Sequence, residues 1–248
     1  MEIVERSHIG KVRSGNQDFA SSFLSPDGKV LGLVCDGMGG HSAGDVASKM
    51  AAVHFGHAWT QLSLQDDELE KWLTRQLQKE NDRILEKSKK FNGLDGMGTT
   101  IVGVAEKISS WLIFNIGDSR AYRFSVNTLK QITQDHSFVN ELVLSGEITP
   151  EEAQTHPKKN ILTRSLGVDS ATDPDFYEIK RDTGDILMLC SDGLTNMVSD
   201  DQIRNILNSQ ETLEQKADRL LEEALEAGGT DNISVLLIGS DEEGGTKG

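Results

Sequence analysis

Val30-Leu31-Gly32-Leu33-Val34-Cys35, followed without a break by Asp36-Gly37-Met38-Gly39-Gly40-His41, is the stretch on which the fold turns. An uncharged apolar run closed by glycines reads as a buried strand. The strand ends on a carboxylate, and the glycines behind it form a loop that lets backbone or a ligand approach closely. One such pattern is unspecific, because Asp-Gly also makes ordinary turns. The pattern recurs, however. Ile186-Leu187-Met188-Leu189-Cys190 runs into Ser191-Asp192-Gly193, and Leu112-Ile113-Phe114-Asn115-Ile116 runs into Gly117-Asp118. Three apolar strands that each deliver an acid at the C-terminal end predict one acidic pocket. Asp231, ahead of the apolar run Ile233–Ile238, and Asp18, ahead of Phe19-Ala20, add a fourth and a fifth acid. Carboxylates crowded into one pocket repel unless cations neutralise them. Oxygen donors of this kind suit Mg²⁺ or Mn²⁺.

Outward from these strands the elements alternate loosely. A weak strand is expected at 2–9. A hairpin pairs 17–24 with 29–35 around Ser25-Pro26-Asp27-Gly28, a turn sequence. A helix over 45–61 places Val46, Met50, Val53 and Ala58 at helical spacing. The clearest helix spans 66–90: it opens with acids, closes with Lys87, Lys89 and Lys90, and carries Leu69, Leu73, Leu77 and Ile84 on one side. Strands follow at 99–105, 111–116 and 121–124, then short helices at 137–145 and 150–153. Periodicity is poor between His136 and Asp173, which predicts an irregular insertion. Strands return at 176–179 and 186–190, helices at 200–208 and 212–227, the latter capped by Gly228-Gly229, and a last strand at 233–238. No βαβ alternation is present, which argues for antiparallel sheets covered by helices rather than a doubly wound parallel sheet.

The chain has 248 residues, 36% of them hydrophobic and spread throughout, enough for a sizeable core. Lys and Arg number 25 against 40 Asp and Glu, a formal charge of −15. That balance excludes a phosphate-backbone binder and adhesion to anionic membranes. Cys35 and Cys190 lie inside apolar strands and read as buried reduced thiols. Met1-Glu2-Ile3-Val4-Glu5 does not read as a signal peptide, and no apolar run approaches the ~18 residues of a membrane span. The expected compartment is the cytoplasm. Residues 241–248, with Asp241-Glu242-Glu243-Gly244-Gly245, read as a disordered tail.

Two cations about 3.5–4 Å apart can share a hydroxide and hold an in-line displacement at phosphorus. Arg13, in the loop Lys11–Asp18, is either a planar fork for phosphate oxygens or a solvated surface side chain. His41 is either a proton donor to a leaving alkoxide or a hydrogen-bond partner of a carboxylate. Of the other five histidines, His54 and His57 lie on a helix, and His8, His136 and His156 have no identifiable partners. Gly96-Met97-Gly98-Thr99-Thr100 lacks the Gly-Lys-Ser/Thr of a phosphate loop and reads as a turn into a strand.

Taken in order, Arg13 with Asn16-Gln17-Asp18, then Asp36-Gly37-Met38-Gly39-Gly40-His41, Gly98-Thr99-Thr100, Gly117-Asp118-Ser119-Arg120, Ser191-Asp192-Gly193 and Asp231-Asn232 resemble the metal-dependent protein phosphatases, the type 2C Ser/Thr phosphatases, and especially small bacterial single-domain members. The resemblance implies an α+β fold, a four-layer α-β-β-α sandwich of two packed antiparallel sheets flanked by helices. It implies one phosphatase domain over 1–240 with a flap at about 136–173. Within it Thr163-Arg164-Ser165-Leu166-Gly167 also resembles the family.

By the same resemblance Asp36 bridges two Mn²⁺ or Mg²⁺ ions and the Gly37 carbonyl contacts one. Asp192 and Asp231 complete the first ion's shell, and Asp118 with Asp192 makes a possible third position. Asp18 holds metal-bound water and Arg13 grips the phosphate. A metal-bridging water attacks phosphoserine or phosphothreonine on proteins, reversing a bacterial Ser/Thr kinase, and a monomer suffices. Two departures stand out. Many members carry Glu where Gln17 stands. Eukaryotic members place His directly after Asp-Gly, where Met38 stands, leaving His41 as the available general acid. The rival readings are a non-catalytic regulatory or binding module that kept the fold, and an acidic cation-binding protein without enzymology. The first predicts loss of Asp36, Asp192, Asp231 or Arg13, and all four are present; the second leaves Arg13 unexplained.

Overall fold

The computed structural model describes residues 1–40, 43–63 and 65–240. His41 and the tail expected at 241–248 lie outside the described residues. One antiparallel sheet contains β1 (Glu2–His8), β7 (Arg120–Ser125), β8 (Thr128–Gln131), β10 (Ile186–Cys190) and β11 (Ile233–Gly239), in the spatial order β1-β11-β10-β7-β8. The other contains β2 (Asp18–Leu24), β3 (Val30–Met38), β5 (Ile101–Glu106), β6 (Ser110–Ile116) and β9 (Asp175–Lys180) in that order, with the two-residue β4 (Gly98–Thr99) paired to the end of β3.

Both faces of each central strand are buried, which is why the sequence shows apolar runs instead of alternation. In β11, Val235 and Leu237 face the helices α5 (Asp192–Thr195), α6 (Asp200–Leu207) and α7 (Leu213–Glu226), among Ile203, Leu207 and Leu220. Their neighbours Leu236 and Ile238 face the second sheet, among Val34, Val102, Val104 and Ile113. On the far side of that sheet, Leu31, Leu33 and Phe114 pack against α1 (Ala43–Trp59) and α2 (Leu69–Lys90) through Phe55, Leu73, Leu77 and Ile84. The layers are therefore helix, sheet, sheet, helix, as the family resemblance implied. Leu236 bears on Gly32 across the middle layer, where a Cβ on Gly32 would lie 3.1 Å from its Cδ2. Truncating it opens a cavity neither sheet can close. Leu236→Ala is expected to lower unfolding free energy by about 3 kcal/mol, a fall of roughly 6–12 °C in melting temperature measurable by calorimetry.

Several expectations needed correction. The helix over 45–61 forms as α1, but its buried stripe is Ala47, Ala51, Phe55 and Trp59, and Val53 is exposed. Small residues there let the helix sit close on β2 and β3; an aliphatic count favoured the wrong stripe. The hairpin turn behaves as read, with Gly28 at φ +76 and its N–H donating to the Ser25 carbonyl. The stretch from 136 to 173 holds two capped helices, α3 (Phe138–Ser145) and α4 (Pro150–Thr155). It is tied at its base, where Ser137 bridges to Leu162 and Thr99 to Leu166. Strand β8 was not anticipated. Both cysteines are buried and free, and burial pushes both thiols up, as expected of inert core residues. Among the described residues no helix is long and apolar enough to cross a membrane.

Candidate metal and phosphate site

The strand carrying Asp36 does not stop at Cys35. It continues to Met38 because Gly37 and Met38 pair with Thr99 and Gly98. The peptide of Asp36 is gripped from both sides: its N–H donates to Thr100 Oγ1 (3.0 Å), and its carbonyl accepts from Thr100 N–H (2.8 Å) and the Thr99 hydroxyl (3.0 Å). Gly37 follows because nothing larger fits. A Cβ there would lie 2.0 Å from the Gly44 carbonyl oxygen of α1 and 2.7 Å from that of Gln17. The Gly96–Thr100 stretch is thus a turn into a strand, as read, and its hydroxyls also anchor the first acid.

Asp18 opens β2 directly opposite Asp36 in the hairpin register. It is 4% exposed, and its Oδ2 accepts from the Ser191 hydroxyl at 2.7 Å. Ser191 Oγ in turn accepts from Ser234 N–H, and Ser234 Oγ lies 2.9 Å from Ser7 Oγ. This chain of small hydroxyls stitches the two sheets together beneath the acids. Sequence reasoning gave these serines no role. The signal was present, since Ser234 interrupts an otherwise apolar run. Asn232 does similar work: its side chain donates to the carbonyls of Ile9 and Gly15 and accepts from Gln17 N–H. That fastens the Arg13 loop to the start of β11.

Asp192 opens the single-turn helix α5, not foreseen from sequence, and accepts from Asn196 Nδ2 at 2.9 Å. Its carboxyl stands close enough to that of Asp36 for each to act on the other's charge. A Cβ on Gly193 would lie 1.9 Å from the Asn232 carbonyl oxygen, so glycine lets α5 touch the β11 loop. Asp231 pairs with Arg13 at 2.7 Å, and the two residues expected to serve metal and phosphate are bound to each other. Asp36 and Asp192 also attract the Arg13 guanidinium.

Asp118 follows Gly117, whose φ of +116 and contact with Thr100 demand glycine. Ser119 Oγ lies 2.7 Å from Thr100 Oγ1, linking this turn to the Asp36 anchor. Sequence reasoning found no partner for His136. It is 5% exposed and packs on the same turn.

Four of the acids, Asp18, Asp36, Asp118 and Asp192, are raised by burial and by neighbouring carboxylates. Burial, then the Asp192 and Asp231 charges, pushes the Asp18 carboxyl up to about 7. Burial, then Asp192 and Asp135, pushes Asp118 up to about 8. Burial raises Asp36 well above the carboxylate range, with Asp18, Asp192, Asp118 and Asp231 adding to it, and Asp192 is raised by burial and Asp231. The acids stand within electrostatic range of one another without closing on a centre: among the described residues no three His, Cys, Asp or Glu side chains form a finished cation cage. The donor set nevertheless fits a hard divalent ion. Every ligand type is carboxylate or carbonyl oxygen, and Asp18 Oδ1 is buried without a hydrogen-bond partner. A cation or its water would satisfy both the repulsion and the orphaned oxygen.

Asp118 and Asp192 line a cleft of about 600 Å³. The insertion lines it too, with Val139 and Asn140 of α3 and Ala153 of α4. The cleft lies where a substrate could reach the acids.

The sequence profile of the Protein phosphatase 2C family matches residues 5–230. Serine/threonine phosphatase stp of Listeria welshimeri is 44% identical over 235 residues, 94% of this chain and 93% of its own. The S. agalactiae serine/threonine phosphatase superimposes with a TM-score of 0.94 at 38% identity, over 97% of this chain and 99% of its own. The catalytic domain of the phosphatase PstP, solved with two manganese ions, matches with a TM-score of 0.84 at 34% identity, over 95% and 96% of the two chains. The chain belongs to the protein phosphatase 2C family. It is a metal-dependent protein serine/threonine phosphatase, and its substrates are phosphoproteins.

Proposed function

We propose that residues 1–240 act as one phosphatase domain in which Asp36, the Gly37 carbonyl, Asp192 and Asp231 hold two divalent ions, and that the enzyme reverses a bacterial Ser/Thr kinase. The observation that carries the site is the mutual electrostatic strain of Asp18, Asp36, Asp118, Asp192 and Asp231 around one buried, unpartnered carboxylate oxygen. Manganese is favoured over magnesium because the PstP relative was solved with two manganese ions. A third ion at Asp118 and Asp192 is supported by their lining one cleft. Bound ions supply Lewis acidity, which activates water towards phosphorus and neutralises the phosphoryl oxygens.

The chain's own residues supply position. Asp18, held by Ser191, presents its unpartnered Oδ1 to a water. Arg13 offers a planar fork, which phosphate oxygens draw away from Asp231. His41 is the candidate proton donor to the leaving alkoxide, on the sequence alone. Residues 136–173 serve as a flap over the cleft. The cytoplasm is the proposed compartment and the monomer the working form; exposed large apolar side chains such as Val12, Ile108 and Leu144 are scattered over separate segments.

Phosphate release from a phosphothreonine peptide tests this reading. Release is expected with Mn²⁺ and to vanish in EDTA. Arg13→Ala is expected to raise KM about tenfold with a smaller change in kcat, since it removes a contact made in ground and transition states alike. Release that persists undiminished in EDTA would sink the metal assignment, and an unchanged KM would remove Arg13 from phosphate binding. If other bacterial phosphopeptides are cleaved but none phosphorylated by a co-encoded Ser/Thr kinase, the kinase-reversing role fails while the chemistry stands.

A further inference from the structure

His136 stands between the catalytic edge and the flap, and its hydrogen bonds fix its tautomer. Its Nδ1 accepts from Gly117 N–H at 3.2 Å, so the ring proton sits on Nε2, which donates to Asp175 Oδ2 at 3.2 Å. Its main-chain N–H donates to the Gly117 carbonyl at 2.9 Å, and its own carbonyl accepts from Thr163 N–H at 2.9 Å. Gly117, the residue just before Asp118, is thereby held at both its N–H and its C=O by one residue. The far end of the ring is fixed through Asp175 to Arg164, whose Nη1 lies 2.8 Å from Asp175 Oδ1. Asn115 Nδ2 adds a second hold on the Gly117 carbonyl at 3.1 Å, but among the described residues only His136 Nδ1 accepts from Gly117 N–H.

We propose that His136 is a positioning residue that aims Asp118 at its cation through the acceptor bond to Gly117 N–H. The proposal rests on the reading of Asp118 as a metal ligand. Losing the acceptor leaves a buried N–H unpaired, and the turn then relaxes to find another partner. The ring can be dissected. In Asn, Oδ1 occupies the place of Nδ1 and keeps the acceptor. In Gln, Nε2 occupies the place of the ring Nε2 and keeps only the bond to Asp175.

The test is a calorimetric Mn²⁺ titration of metal-stripped wild type, Asp118→Asn, His136→Gln and His136→Asn, with thermal melts as a check on folding. Asp118→Asn is expected to delete one binding step. His136→Gln is expected to weaken that same step about tenfold while leaving the others in place. His136→Asn is expected to bind within about twofold of wild type. Wild-type binding by His136→Gln, with the step lost in Asp118→Asn, would overturn the positioning role. Equal weakening by both His136 variants would overturn the acceptor bond as its basis. A full set of steps in Asp118→Asn would instead remove Asp118 from metal binding, and the proposal with it. Should His136→Gln fail to fold, Asp175→Asn, which loosens only the other end of the ring, must weaken the step by less than tenfold for the proposal to stand.

Discussion

Asp192→Asn is expected to cut Mn²⁺-dependent phosphate release about a thousandfold, a loss of ~4 kcal/mol of transition-state stabilisation. Asp192 is held by Asn196 and is the acid whose charge raises Asp18, Asp36 and Asp118 together. Neutralising it would remove a proposed cation ligand and leave the shape almost unchanged. The same substitution is expected to make the metal-free protein more stable, because it deletes one of several mutually repelling buried carboxylates. Mn²⁺ should raise the melting point of the wild type, as any ligand of the native state does, by about 2.7 kcal/mol of stability at a hundredfold excess over Kd. In the variant that increment should largely vanish. Opposite signs for metal-free stability and activity separate a functional acid from a structural one. Retained activity, or an unchanged Mn²⁺-induced shift, would remove Asp192 from the metal site.

Gly37→Ala is expected to cost about 4 kcal/mol of stability and roughly 8–16 °C in melting temperature. The new methyl would sit 2.0 Å from the Gly44 carbonyl oxygen, and a Cβ at Gly44 would meet the Gly37 carbonyl at 2.6 Å, so two backbones touch with no flexible side chain to yield. The strand cannot retreat, because Gly37 N–H donates to the Gln17 carbonyl at 3.0 Å and its partner Thr99 holds the other edge. Gly40, three residues on, has open space around its missing Cβ. Gly40→Ala should melt within about 1 °C of wild type, because a surface substitution that touches nothing is nearly neutral. If Gly37→Ala melts like Gly40→Ala, the close approach of β3 and α1 is not as described.

The acids were legible because chemistry and strand ends coincided: an apolar run is easy to see, and a carboxylate beside it is conspicuous. Helix α2 was legible for a similar reason, with Leu69, Leu73, Leu77 and Ile84 on one stripe and all buried. What escaped was whatever depends on a partner far along the chain. Ser191 matters because of Asp18, 173 residues away, and Asn232 because of Ile9 and Gly15. A serine in a strand carries no mark of such a partner. Strand β3 ran three residues past its apparent end at Cys35 because β4 lay beside it, and pairing overrides local propensity. His136 looked unattached for the same reason: its partners Gly117 and Asp175 come from other elements.

The order in which the strands are made has a consequence for when the enzyme switches on. β11, at residues Ile233–Gly239, is the last strand in sequence among the described elements, yet it lies between β1 and β10, pairing Glu2 with Gly239. During synthesis β1 must wait for β11 to leave the ribosome before it finds its neighbour, a pairing of extreme sequence separation and slow closure. Asp231 and Asn232 arrive in the same late segment and bring with them the fastening of the Arg13 loop. A nascent chain is therefore a latent one: it gains its acidic centre in the same event that completes the sheet, and truncated products released early would not strip phosphate from cellular proteins.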